Sequence, residues 1–225
     1  MRFFPLIALF LATSAWADVA ATYTVKGGDE IRISYRDSDH IRMQVSADNF
    51  LLLADGKVWS VMRQGGGWMA MDLNQMSGMM KGFGMPSGKG AEQEAGEASF
   101  SATGKTETVA GYQGEVYTVT DSAGRTHDMV LTDHDDVEQV SRAWLEFSAA
   151  TAQLMGGAAI SPDRVLSALD QSAPTGMLRQ ADNMVMQSLS TDDLADDVFA
   201  LPAGTQVQKM PKMPAMPGGF PGFGG

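Results

Sequence analysis

The chain contains no cysteine among its 225 residues. That excludes disulfide cross-links, thiolate nucleophiles and thiolate metal centres, so packing alone must hold the fold. Histidine is nearly as scarce, with His40, His127 and His134 the whole supply. Basic residues are outnumbered, 16 Lys and Arg against 27 Asp and Glu, for a formal net charge of −11. Such acidity argues against nucleic acid or anionic membrane surfaces as partners, since both reward Lys and Arg. No apolar run reaches the roughly 20 residues that a membrane-spanning helix needs. Gly-x-Ser-x-Gly, His-Glu-x-x-His and phosphate-loop spacings are all missing. Serines are plentiful, but no motif places a base beside one. The sequence points away from an enzyme.

What is there begins with a leader. Arg2 supplies a short positive region, Phe3 to Ala12 an apolar run, and Ala15-Trp16-Ala17 the small residues that a signal peptidase reads. Cleavage after Ala17 and export to the periplasm are expected, and no cysteine stands near the cut to carry a lipid. Losing Arg2 makes the remaining chain one unit more negative. A single domain is expected over 18–204, with a Met- and Gly-rich insertion at about 74–99. The stretch 205–225, rich in Met, Pro and Gly, is expected to be a disordered tail.

Period-two alternation marks strands from Tyr23 to Val25, Ile31 to Tyr35 and Ile41 to Val45. Phe50 to Ala54 and Lys57 to Met62 flank Asp55-Gly56, the residue pair a two-residue type I′ turn favours. Phe50-Leu51-Leu52-Leu53 does not alternate, which predicts a strand with apolar side chains on both faces. Trp68 to Leu73 reads as a further strand, and Asn74 to Lys81 as a short helix. After the insertion, strands are predicted over Phe100 to Val109, Gly114 to Asp121 and Arg125 to Thr132, then a hairpin from Met177 to Leu189 turning at Asp182-Asn183. Between them Val137, Val140, Trp144, Phe147, Thr151 and Leu154 recur at helical spacing. Asp135 and Glu138 form a capping-box-like start to that helix, and Gly156-Gly157 its end. Ser161-Pro162 opens a second, shorter helix carrying Val165, Leu166 and Leu169.

Residues Gly104 to Val119, GKTETVAGYQGEVYTV, resemble the central signature of an exported bacterial family, domain of unknown function 4412. There the form is roughly GKTKTIAGYECEKYEV. The ending Asp197-Val198-Phe199-Ala200-Leu201-Pro202-Ala203-Gly204 resembles that family's LFELPAGY. The family is similar in fold to the periplasmic lipoprotein carriers LolA and LolB. The resemblance implies an α+β fold: a curved antiparallel sheet forming a half-open β-barrel, with one long and one short helix packed in the concave face. Gly114 stands where the family often has cysteine, so no thiol role carries over, and no lipid-contacting residue of the carriers aligns to a position here.

Two chemistries compete for the unusual residues. In the first, an apolar cavity lined by Trp59, Trp68, Met69, Met71, Trp144 and Phe147 takes a lipid, an acyl chain or a lipoprotein segment, with no cofactor. In the second, methionine thioethers bind Cu(I), a soft ion suited to soft ligands. Met76, Met79 and Met80 in the insertion, and Met210, Met213 and Met216 in the tail, have the spacing for it. Methionine is equally the flexible filler of promiscuous apolar surfaces. A third reading makes the insertion and the tail a scaffold for another periplasmic protein. His134 lies in Asp133-His134-Asp135-Asp136, which reads as an oxygen-rich metal loop or as capping of the helix that follows, with carboxylates at its positive end.

Overall fold

The computed structural model describes residues 18–75, 99–121, 123–154 and 173–208. The turns set its register. Asp55 and Gly56 both take the positive φ of a type I′ turn, 52° and 67°. They join β4 (Asn49–Ala54) to β5 (Lys57–Gln64), with Ala54 paired to Lys57. Upstream lie β1 (Val19–Val25), β2 (Glu30–Asp37) and β3 (His40–Ser46), and β6 (Gly67–Asp72) follows β5. Each pairs antiparallel with the next. Leu73–Gln75 begin a helical turn, but the rest of the predicted 74–81 helix, with Met76, Met79 and Met80, lies outside the described residues.

The second half runs β7 (Ser99–Val109), β8 (Tyr112–Thr120), β9 (Thr126–Thr132), helix α1 (Asp135–Leu154), β10 (Gly176–Gln180) and β11 (Met184–Ser190). The motif Gly104 to Val119 therefore forms the β7–β8 hairpin. Its Gly104 sits at a φ of 72° in the stretch where the pairing register shifts, between Ala102 and Thr106. The predicted second helix, 161–169, falls outside the described residues. So do Met210, Met213 and Met216. The expected tail is strand at its start: β12 (Gln206–Gln208) pairs parallel with Met69–Met71 of β6.

The twelve strands of the described residues belong to one sheet, in the order β12-β6-β5-β4-β3-β2-β1-β11-β10-β9-β8-β7. This corrects the expected α+β half-barrel. The sheet does not close, because β12 and β7 are edges with one neighbour each, and the fold is β-rich with α1 the long helix of the described residues. Nor is its apolar material gathered on a concave face. Phe50, Leu52, Val61 and Ala70 are buried in a cluster that Trp59, Trp68 and Leu201 complete. The main core lies on the other face, where Leu51 and Leu53 pack against it. Strand β4 is thus dry on both sides, as its unalternating sequence predicts.

Helix α1 crosses the middle of the sheet, against β10, β2 and β1. Val137, Val140, Ala143 and Phe147 are its fully buried stripe, facing Tyr23, Ile33 and Leu178 in the same cluster. Ser141 ties the helix down from within: its hydroxyl donates to the Val137 carbonyl at 2.9 Å and accepts the Met177 backbone N–H at 2.7 Å. Glu138 makes no capping-box hydrogen bond to Asp135 among the described residues and reaches out of the helix instead. Its Oε1 accepts from the Thr175 N–H at 3.1 Å and the Thr175 hydroxyl at 2.8 Å, fixing the entry to β10.

At Gly114 there is no room for a side chain. A Cβ there would stand 2.6 Å from the Leu131 carbonyl oxygen and 2.9 Å from Leu178 Cδ1. The backbone atom cannot retreat without breaking the β8–β9 pairing.

Candidate functional site

The two faces of the sheet carry different chemistry. On the face away from α1, residues 191–208 run across the strands as a strap. Arg36 is its anchor. Its Nε and Nη2 reach both carboxylate oxygens of Asp18 at 3.0 and 2.9 Å, Nη2 also donates to the Leu194 carbonyl at 2.7 Å, and Nη1 meets Asp196 at 2.8 Å. Asp18 in turn accepts the Leu194 N–H at 2.9 Å. The Arg36 hydrogen bonds hold the buried Asp18 carboxyl below its ordinary pKa. Phe199 follows, under the Arg36 guanidinium at 4.7 Å and edge-on to His40. Leu201 packs on the Phe50 cluster before the chain joins β6 as β12.

On the α1 face the apolar surface does not stop at the helix. Val45 is 42% exposed and Met62 38%, among the few large apolar side chains so exposed in the described residues. Met62 is paired with Met69, and Leu51 with Ser60, which is paired with Met71. Leu51, Met69 and Met71 are half-buried. Alternation places all five on one face, over β3 to β6 and beyond the strands that α1 covers.

The six residues predicted to line one cavity are therefore divided. Trp59 and Trp68 belong to the Phe50 cluster on the strap face. Met69 and Met71 project from the opposite face. Trp144 and Phe147 ride on α1, Phe147 buried in the main core and Trp144 packed at its margin. The structure brings Met69 and Met71 together with Met62, a residue the sequence reading did not single out. The signal was available, because Met62 lies opposite Met69 in the hairpin closed by Gly65 and Gly66.

Several clefts are lined by charged side chains. One of about 950 Å³ lies between the β2–β3 turn and the start of α1, lined by Tyr35, Arg36, Asp37, Asp135, Glu138 and Arg142 among others. Above it on the helix, Glu146 has a buried Oε2 with no hydrogen-bond partner. Burial pushes its carboxyl above the ordinary pKa, and the Arg142 charge offsets this only in part. The neighbouring Tyr35 phenol is pushed up as well, by burial first and then by the Glu146 charge. A raised carboxylate pKa means that the folded state favours the protonated form, so the associated stability is present at low pH. It is lost as pH rises from the unfolded value of about 4.3 through the folded one. Glu146→Gln is therefore expected to raise the melting temperature at pH 7, with the gain vanishing below about pH 4, where both proteins are neutral at this position. Calorimetric melting at the two pH values measures it.

The histidines do not converge. His40 Nδ1 meets Asp37 at 2.8 Å, His134 stacks edge-on to Tyr112 at 4.8 Å, and His127 has a buried Nε2 with no partner. The His134 carbonyl accepts the Val137 and Glu138 N–H groups, which makes this segment the first turn of α1. Among the described residues no three His, Cys, Asp or Glu side chains are placed to hold a metal ion. None of the described helices is long and apolar enough to cross a membrane.

No family model matches the chain. No curated protein matches it either. Among solved structures it is similar to PNGF-II, crystallised in space group C2, at 10% identity and a TM-score of 0.36, over 85% of this chain and 30% of that one. The chain thus spans less than a third of that protein's length, and a likeness this loose carries no argument about fold or activity.

Proposed function

We propose that the chain is an exported, non-enzymatic binding protein for an apolar chain, such as a lipid tail, an acyl group or a lipoprotein segment. The observation that supports this reading is the surface of Val45, Leu51, Met62, Met69 and Met71 on the α1 face. It is continuous with the main core, and its thioethers adapt to ligands of varied shape. The leader-like sequence at 1–17 supports export. The test is titration of the protein with a neutral fluorescent alkyl probe. Saturable binding is expected, weakened about tenfold or more by Met62→Asp, which sets a charge in the apolar contact. Met62 is exposed, so the variant should remain folded. Absence of binding to the wild-type protein, or unchanged binding to the variant, overturns the reading.

A second reading rests on one specific arrangement. Met62 opposite Met69, with Met71 on the same face, groups three thioethers on one hairpin. Such a soft set suits Cu(I). Competition against a chromogenic Cu(I) chelator decides it: retention of copper by the wild type and its loss in Met62→Leu favours this reading, and no retention removes it.

A further inference from the structure

The strap face holds a second, unrelated feature. On β2 and β3, Arg32 stands opposite Gln44, and Ser34 opposite Arg42. Arg32 and Arg42 are therefore diagonal neighbours on one face, within reach of a shared small ligand. The strap residues Leu194, Asp197 and Val198 close the space above them, leaving a cavity of about 370 Å³.

The bonding of these groups is incomplete. Arg42 stacks over Phe50 at 3.7 Å, donates from Nη2 to Gln44 Oε1 at 2.9 Å, and donates from Nη1 to the Val198 carbonyl at 3.3 Å. These contacts fix the plane of its guanidinium and leave further N–H groups over. It makes no ion pair within 4 Å to a described residue, although Asp197 is close enough to act on its charge. Arg32 has neither a hydrogen bond nor an ion pair to any described residue, in a chain whose net charge is −11. Ser34 is only 4% exposed, lines the cavity, and makes no side-chain hydrogen bond to a described residue. A solvated lone arginine needs no explanation. Two guanidiniums and a hydroxyl that open onto one cavity with hydrogen-bonding capacity left over do, because together they match the oxygens of a small anion.

We propose that this cavity binds a phosphate group, gripped by the Arg32 and Arg42 guanidiniums with the Ser34 hydroxyl donating a further hydrogen bond. Planar guanidiniums present paired N–H groups that match phosphate oxygens, and charge-assisted bonds of this kind are the strong ones. Asp197 is the one anionic lining residue among those described, so the site carries a built-in opponent. The cavity lies on the sheet face opposite the Met62 surface and stands or falls independently of it.

The experiment is calorimetric titration of the full-length protein with two probes: inorganic phosphate, and vesicles containing phosphatidic acid, whose headgroup is a phosphate monoester. Phosphate should bind with an affinity that falls as salt rises. Arg32→Gln should weaken it about tenfold or more, the loss of one charge-assisted hydrogen bond. Asp197→Asn should tighten it. Arg32 is exposed and outside the core, so its variant keeps the fold, and an unchanged melting temperature verifies that. Binding of both probes assigns the site to a lipid headgroup, and binding of inorganic phosphate alone assigns it to a soluble ligand. No heat with either probe at millimolar concentration, or equal affinity in wild type and Arg32→Gln, overturns the proposal.

Discussion

Replacing Arg36 with alanine is expected to destabilise the protein by about 3 kcal/mol at pH 7, the lower end of the cost of breaking a buried ion pair. The lower end applies because Arg36 keeps about a quarter of its side chain exposed, whereas Asp18 is nearly covered, at 28% and 8%. The substitution leaves the Asp18 carboxylate buried with only the Leu194 N–H for company. It also removes the cation above Phe199 and the tie to Asp196. The strap should loosen, and limited proteolysis should cut within Asp192–Asp197 in the variant before it cuts the wild type. The pH dependence carries a second signature. Arg36 depresses the folded-state pKa of Asp18, so the wild-type stabilisation is complete above the unfolded pKa of about 3.9 and fades as pH falls through the folded value. Without Arg36 the largest lowering influence on Asp18 is gone, and its pKa rises relative to the wild type although the Leu194 N–H and the His40 charge still oppose burial. The gap between wild type and variant should therefore shrink on acidification to about pH 3. Denaturant unfolding at pH 7 and pH 3 measures both effects. A gap that is the same at both pH values would mean that the pair is not the cause.

Local structure was legible in the sequence. Asp55-Gly56, Ala110-Gly111 and Asp182-Asn183 each mark a turn between neighbouring strands, and turn chemistry needs only adjacent residues. The dry-on-both-sides character of β4 was legible in Phe50-Leu51-Leu52-Leu53 for the same reason. The strap was not legible. Arg36 is 160 residues from Asp196, and Asp18 is 176 from Leu194, so no spacing rule connects them. In sequence, Arg32, Ser34 and Arg36 are the wet side of an amphipathic strand. Only Arg36 among them reaches the strap, at Leu194 and Asp196. The grouping of Trp68 with Met69 as one lining fails on a rule the sequence does contain, since adjacent strand residues point to opposite faces. The barrel expectation had a different origin. It came with the motif Gly104 to Val119, which occupies a single hairpin at one edge of the sheet and cannot dictate closure at the other.

Phe147→Ala is expected to be the most damaging single substitution on α1, costing about 3–5 kcal/mol. Phe147 is 1% exposed and shares a cluster with Val137, Val140, Ala143 and the strand residues beneath them. Truncation removes its buried area and leaves a void that close-packed neighbours on a rigid sheet fill poorly. The magnitude separates two roles for this residue. If Phe147 lined a preformed ligand cavity, one of its faces would meet empty space, truncation would cost far less, and its main effect would fall on binding of the alkyl probe. As a core residue it should lower stability steeply, while probe affinity at the Met62 surface changes little under conditions where the variant is folded. Phe147→Leu should recover most of the loss, because the remaining volume still plugs the space under the helix. Trp144, half-buried at the margin of the same cluster, should tolerate truncation better than Phe147. Denaturant unfolding of the three variants, with a probe titration of each, tests the assignment. A small loss in Phe147→Ala together with a large change in probe binding would move the ligand site from the Met62 surface to the space beneath α1.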